Sequence, residues 1–124
     1  MTRDFTSTDV PKSIPDNNSF GITSVIDVPA GLPDTVKVTV DVNITHPNRG
    51  DLAIFVDSPP IEVATLSIRE GGTADNFTVT GLDISSSFSF PSSPSGRWQL
   101  FVQDLAKKNI GTINSFTLHV TSSR

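Results

Sequence analysis

"THPNRGDLAIFV", residues 45–56, decides how this chain is read. Arg49-Gly50-Asp51 spells a cell-adhesion tripeptide, but Leu52 to Val56 follow at once and are apolar at every position. A strand buried on both faces reads this way. An adhesion ligand needs its tripeptide at an exposed loop tip, whereas here Asp51 stands at the mouth of a buried strand. The tripeptide is therefore read as a turn entering a central strand. Gly50 is expected to supply a backbone angle that other residues resist. The Asp51 carboxylate is expected to accept bonds from nearby backbone N–H groups. Arg49 is left to pair with an acid on a neighbouring loop.

Working outward, Val36, Val38, Val40, Val42 and Ile44 alternate with polar residues, which is the period of a strand with one wet face. Ile22, Ser24, Ile26 and Val28 do the same upstream, and "PAGLPD" at 29–34 joins the two. Downstream, "SPP" at 58–60 stops the central strand, because Pro cannot donate to a ladder. Ala64, Leu66 and Ile68 alternate next, and "REGGTADN" at 69–76 is a Gly-rich turn. Phe77 and Val79 begin a short strand, and residues 85–96 are a long, soft connection. Trp98, Leu100 and Val102 share one parity, as do Phe116, Leu118 and Val120 after a loop at 105–111. Seven to nine short strands with regular turns and no helical spacing predict an all-β antiparallel sandwich.

Composition agrees. With 124 residues the chain is one domain with one core. Thirty Ser and Thr, eight Gly and nine Pro suit short strands and turns. The net charge of −4 and the lack of a basic block set nucleic acid aside as a partner. No run is long enough to span a membrane, and the isolated domain is expected to be monomeric. The absence of cysteine argues against a eukaryotic secreted origin and is compatible with a bacterial exported one. Met1 is followed by polar "TRDFTSTD" rather than a signal sequence. The expectation is a domain of 1–124, with its core over 10–121, cut from a larger protein.

The order "NITHPNRGDLAIFVDSP", "REGGTADN", "GRWQLFVQDLAKKNIGTINSFTLHV" resembles the P domain, or Homo B domain, of kexin- and furin-type proprotein convertases and bacterial subtilisin-like proteases. The resemblance is carried by His46 with Arg49-Gly50-Asp51-Leu52, and by Gly96, Trp98, Leu100, Val102 and Asp104 followed by Gly111 to Leu118. It implies an eight-stranded jelly roll without chemistry of its own, attached to a subtilisin-like catalytic domain in the same secreted parent. It also implies calcium. The candidate ligands are Asp75, Asn76, Asp83, Asp104 and Asp51, drawn from eleven Asp against two Glu. The same residues are ordinary turn formers, and no D-x-D-x-D-G loop is present. The chain departs from the family at Pro60-Ile61 and at Leu82-Asp83-Ile84, where one carboxylate of a frequent pair is missing.

Motifs for chemistry are missing. A Ser-His-Asp triad needs a histidine within reach of a serine and an acid. His46 lies in a turn before Pro47, and His119 lies on the strand face opposite Phe116 and Leu118. There is no G-x-S-x-G elbow and no H-E-x-x-H. The expected function is a non-catalytic accessory domain that stabilises a protease or influences its maturation or substrate access. The rival is a substrate- or surface-binding module of another exported bacterial enzyme, holding protein or polysaccharide. A carbohydrate platform would want exposed Trp or Tyr, and this chain has one Trp, on the core parity, and no Tyr.

Overall fold

The alternating segments pair as nine strands in a computed structural model that describes residues 1–59, 62–69, 75–90, 92–106 and 110–122. They are β1 (Thr2–Thr6), β2 (Lys12–Ile14), β3 (Asn18–Val28), β4 (Thr35–Thr45), β5 (Leu52–Ser58), β6 (Glu62–Ile68), β7 (Phe77–Asp83), β8 (Gly96–Asp104) and β9 (Gly111–Ser122). The only helical pieces among the described residues are single 3₁₀ turns at Arg49–Asp51 and Ser85–Ser87. Two antiparallel sheets result. Sheet A has the order β1-β9-β4-β7, with β2 also on β9, and sheet B the order β3-β8-β5-β6.

Their inward faces form the core. Val38, Val40, Val42 and Ile44 of β4 meet Phe116, Leu118 and Val120 of β9 within sheet A, across from Leu52, Ile54 and Val56 of β5 and Trp98, Leu100 and Val102 of β8. Trp98 is 2% exposed; its indole N–H donates to the Pro94 carbonyl at 2.8 Å, and Phe88 packs edge-on against it at 5.5 Å. A large aromatic with its one polar atom satisfied is a low-cost core centre.

Bulges account for the departures from simple alternation, since one extra residue reverses the parity of every later position in the strand. At the start of β4 the register shifts between Thr35 and Lys37, so Thr35 is buried and Val36 is exposed. A shift opposite Ile54 and Phe55 turns Ser67 inward and leaves Ile68 52% exposed, correcting the simple alternation expected for Ala64, Leu66 and Ile68. The mostly polar β1 and β2 lie outside the strands that alternation predicts. They are edge strands that take their register from β9. Because of these crossings, the exits of β4 and β8 and the entries of β5, β7 and β9 meet at one end of the sandwich.

Candidate functional site

At that end His46 follows β4 directly and is fully buried. Its backbone N–H donates to Asn76 Oδ1 at 2.9 Å, and its carbonyl accepts from the Asn76 N–H at 2.8 Å. The exit of β4 is thereby clamped to the entry of β7, where Asn76 takes a left-handed φ of 60° that Asn tolerates well. The Asn48 N–H donates to His46 Nδ1 at 3.0 Å. Nδ1 therefore holds the lone pair and Nε2 the proton, which it donates to Asp104 Oδ2 at 3.0 Å. Asp104 ends β8, is 0% exposed, and accepts the Ala106 N–H on Oδ1 at 3.1 Å.

Asp51 closes the cluster. Its N–H bonds the Asn48 carbonyl at 3.0 Å and its carbonyl accepts from the Leu105 N–H at 2.8 Å, so the main chain ties the turn to the end of β8. The tripeptide is not a presented loop: Asp51 is 6% exposed and the turn runs straight into β5. Two expectations for it need correction. Gly50 sits in a right-handed 3₁₀ turn rather than at a special left-handed angle. For the carboxylate, one oxygen departs from the expected acceptor role: Asp51 Oδ2, like Asn48 Oδ1, is buried with no hydrogen-bond partner among the described residues. Arg49 is half-buried and joins no ion pair among the described residues. Gly111 is dictated by close approach. A Cβ there would stand 2.6 Å from the Thr45 carbonyl oxygen and 2.7 Å from the His46 ring. Gly96 has φ +120°, which side chains resist, and faces Pro59.

One ligand atom each from His46, Asp51 and Asp104 lies within 4.8 Å of the others, so the fit of a metal can be tested. A metal-bound imidazole offers its lone pair to the ion and an N–H to an acceptor. Here the polarity is reversed, since the nitrogen facing the carboxylates carries the proton. Both Asp104 oxygens already accept bonds. Calcium takes six to eight oxygens, and among the buried oxygens of the described side chains only Asp51 Oδ2 and Asn48 Oδ1 stand unengaged here, too few to hold it. Nor do the five predicted ligands converge. Asp51 and Asp104 are together in the buried cluster; Asn76 is beside it with its oxygen engaged, and Asp75 is exposed. Asp83 ends β7, six residues from Phe77, or roughly 20 Å away. There it accepts the Ser85 N–H at 2.9 Å, and bonds from Ser85 hold its carboxyl below the usual range. The rest of the Gly-rich turn, 70–74, lies outside the described residues.

His119 faces outward from sheet A, with Nδ1 at 2.6 Å from Asp4 Oδ1 and Nε2 at 2.9 Å from Asp41 Oδ2. Both histidines thus have both ring nitrogens engaged by neighbours, and neither bonds a serine hydroxyl among the described residues. A nucleophile needs a base whose ring nitrogen faces it, and the nitrogens of both rings face these other partners. The buried pair carries a sequence signal that a search for motifs passes over: Asp104 shares the parity of Trp98, Leu100 and Val102. An acid at an inward position requires a buried partner.

An all-β module tied at one end by a buried His–Asp pair is the class this geometry defines. Residues 35–120 match the family model of the proprotein convertase P-domain, and the chain belongs to that family. It is 37% identical over 109 residues to leupeptin-inactivating enzyme 1 of Streptomyces exfoliatus, covering 86% of this chain and 24% of that protein. It is 32% identical over 109 residues to the transglutaminase-activating metalloprotease of Streptomyces mobaraensis, covering 86% of this chain and 13% of that one. A serine protease of Aeromonas sobria contains the same fold, with a TM-score of 0.72 at 18% identity, over 97% of this chain and 26% of that one. The chain thus spans about a quarter or less of these proteins.

Proposed function

We propose that this P domain is a non-catalytic accessory domain of a secreted bacterial protease, subtilisin-like in its catalytic unit, and that it stabilises that unit by docking on it. The observation that carries the proposal is the family match, on a segment that makes up about a quarter of a serine protease in the Aeromonas structure. The closed chemistry of both histidines supports it. The contrast between the two outer faces supports docking. Sheet A carries hydrogen-bonded threonine pairs, Thr2 with Thr121 at 2.9 Å and Thr6 with Thr117 at 3.2 Å. Sheet B instead carries Phe55 stacked on Phe101 at 6.0 Å, with exposed Val63 and Ile68 on β6. Beside them the β3 bulge presents Phe20, 88% exposed, and Gly21 lets that bulge lie against the Phe101 ring. Apolar side chains gathered on one sheet face are characteristic of a contact surface.

A second reading, a substrate-holding module not tied to one catalytic type, is favoured by the relative named as a metalloprotease. One comparison separates the two: the full-length parent against its Phe55→Ser/Phe101→Ser variant. If the domain stabilises its neighbour, the inactivation half-life shortens while the initial turnover of fresh enzyme is unchanged. An unchanged half-life with a raised KM for protein substrate would instead mark a substrate module.

A further inference from the structure

We infer that His119 is a proton-operated clasp that fastens the N-terminal strand β1 to the body of sheet A. Across the outer face of that sheet, Asp4 of β1 pairs with His119 of β9, which pairs with Thr39 of β4, which pairs with Asp83 of β7. His119 bonds sideways to Asp4 and diagonally to Asp41 of β4. One ring therefore spans three strands, and β1 is the outermost of them.

An imidazolium has an N–H on each nitrogen and can donate to both carboxylates. A neutral ring has one N–H, so one carboxylate would then face a lone pair. The groups facing the ring are Asp4 from β1 and Asp41 from β4, with Asp83 and Lys37 further along the same face. Negative charge dominates. The bond to Asp4 holds the ring's pKa above the ordinary imidazole range, and Asp41 adds to the effect. Burial alone would raise the Asp41 carboxyl, but the bonds from His119 and from the Gly81 N–H hold it below the usual range. A folded pKa raised above the unfolded value fixes the sign: the clasp is fully closed below about pH 6.5 and opens as pH rises through the raised value.

What the clasp controls lies next to it. Asp4, Phe5 and Thr6 form one wall of an open groove of about 410 Å³, whose other wall is Val25, Ile26 and Asp27 of β3. Both strands are sheet edges, and β3 is held on this side by Asp9, which accepts the Val25 N–H at 2.9 Å, so a loosened β1 changes the width of the groove from its β1 wall.

Amide hydrogen exchange of the chain, followed residue by residue at about pH 5.5 and about pH 8.5 and corrected for intrinsic rates, tests the inference. Protection of residues 2–7 is expected to fall with pH by up to about tenfold for each unit by which the clasp raises the His119 pKa. Core amides of β4 and β8 should keep theirs. In His119→Gln the β1 protection should lose its pH dependence, and Asp41→Asn should reduce it. Equal β1 protection at both pH values in the unmodified chain overturns the clasp. So does a loss of protection that β4 and β8 share in full, because the titration would then act on the whole fold rather than on one strand.

Discussion

Replacing Asp104 with Asn changes almost nothing in shape and reverses one hydrogen bond. Asp104 accepts twice, from His46 Nε2–H at 3.0 Å and from the Ala106 N–H at 3.1 Å. Asn has one oxygen, so one of those donors would face an NH₂ group. Losing a bond to a charged group and orphaning a buried donor each cost about 1–3 kcal/mol. Removing a buried charge that sits beside Asp51 offsets part of this, since ionised groups are costly to hold away from water. The net expectation is about 2 kcal/mol. For a domain of this size that is a drop of roughly 6–12 °C in Tm. His46→Ala has no such relief. It leaves the Asp104 carboxylate without its partner and opens a cavity, so about 3–5 kcal/mol is expected.

The assay is a pair of urea and thermal melts at neutral pH, each run in chelator and again with calcium or zinc. Asp104→Asn should lose the same stability under every condition, and His46→Ala should lose more. A variant melting within about 0.5 kcal/mol of the unmodified chain, inside the range of neutral surface changes, would refute the buried-pair account. A deficit that appears only with added metal would refute the protonated Nε2, and the cluster would then be an ion site.

Trp98→Ala should cost roughly 3–5 kcal/mol, the range for large-to-small aromatic changes in a core, and native Trp emission should be blue-shifted relative to unfolded chain. Gly111→Ala should cost about 1–3 kcal/mol, because its Cβ would press on the Thr45 carbonyl and the His46 ring. Its NMR signature should be a shifted His46 ring resonance. Asp83→Asn should weaken the cap on Ser85 equally in chelator and in calcium; a deficit seen only in calcium would restore Asp83 as a ligand.

The framework of sheets is legible in the sequence because period-two alternation reports burial directly, as in β4, β8 and β9. The edges are not. β1 reads "TRDFT", too polar to announce a strand, and it exists because β9 offers it a ladder. The parity of β6 misleads for a related reason: a bulge is a property of two strands together and leaves no mark on one. Sequence parity therefore works along a stretch without a bulge of its own, as in β4 from Val38 onward, and fails where a bulge resets the register, at Val36 of the same strand and in β6.

The five expected calcium ligands are dispersed for a different reason. Asp75, Asn76 and Asp83 are close along the chain, but closeness along the chain is not closeness in space. A strand converts six residues into roughly 20 Å, so β7 begins beside Ile44 at the His46 end and finishes beside Thr39, well along β4. His46 and Asp104 show the converse, being 58 positions apart in sequence with a 3.0 Å hydrogen bond between them. Asp104 holds an inward position between two sheets, where an ionised acid without a partner would cost several kcal/mol. Parity already demands that partner. Of the two histidines, His119 has outward parity beside Phe116 and Leu118, which leaves His46. The pairing that ties this end of the sandwich together is therefore present in the sequence, as a buried acid requiring a donor.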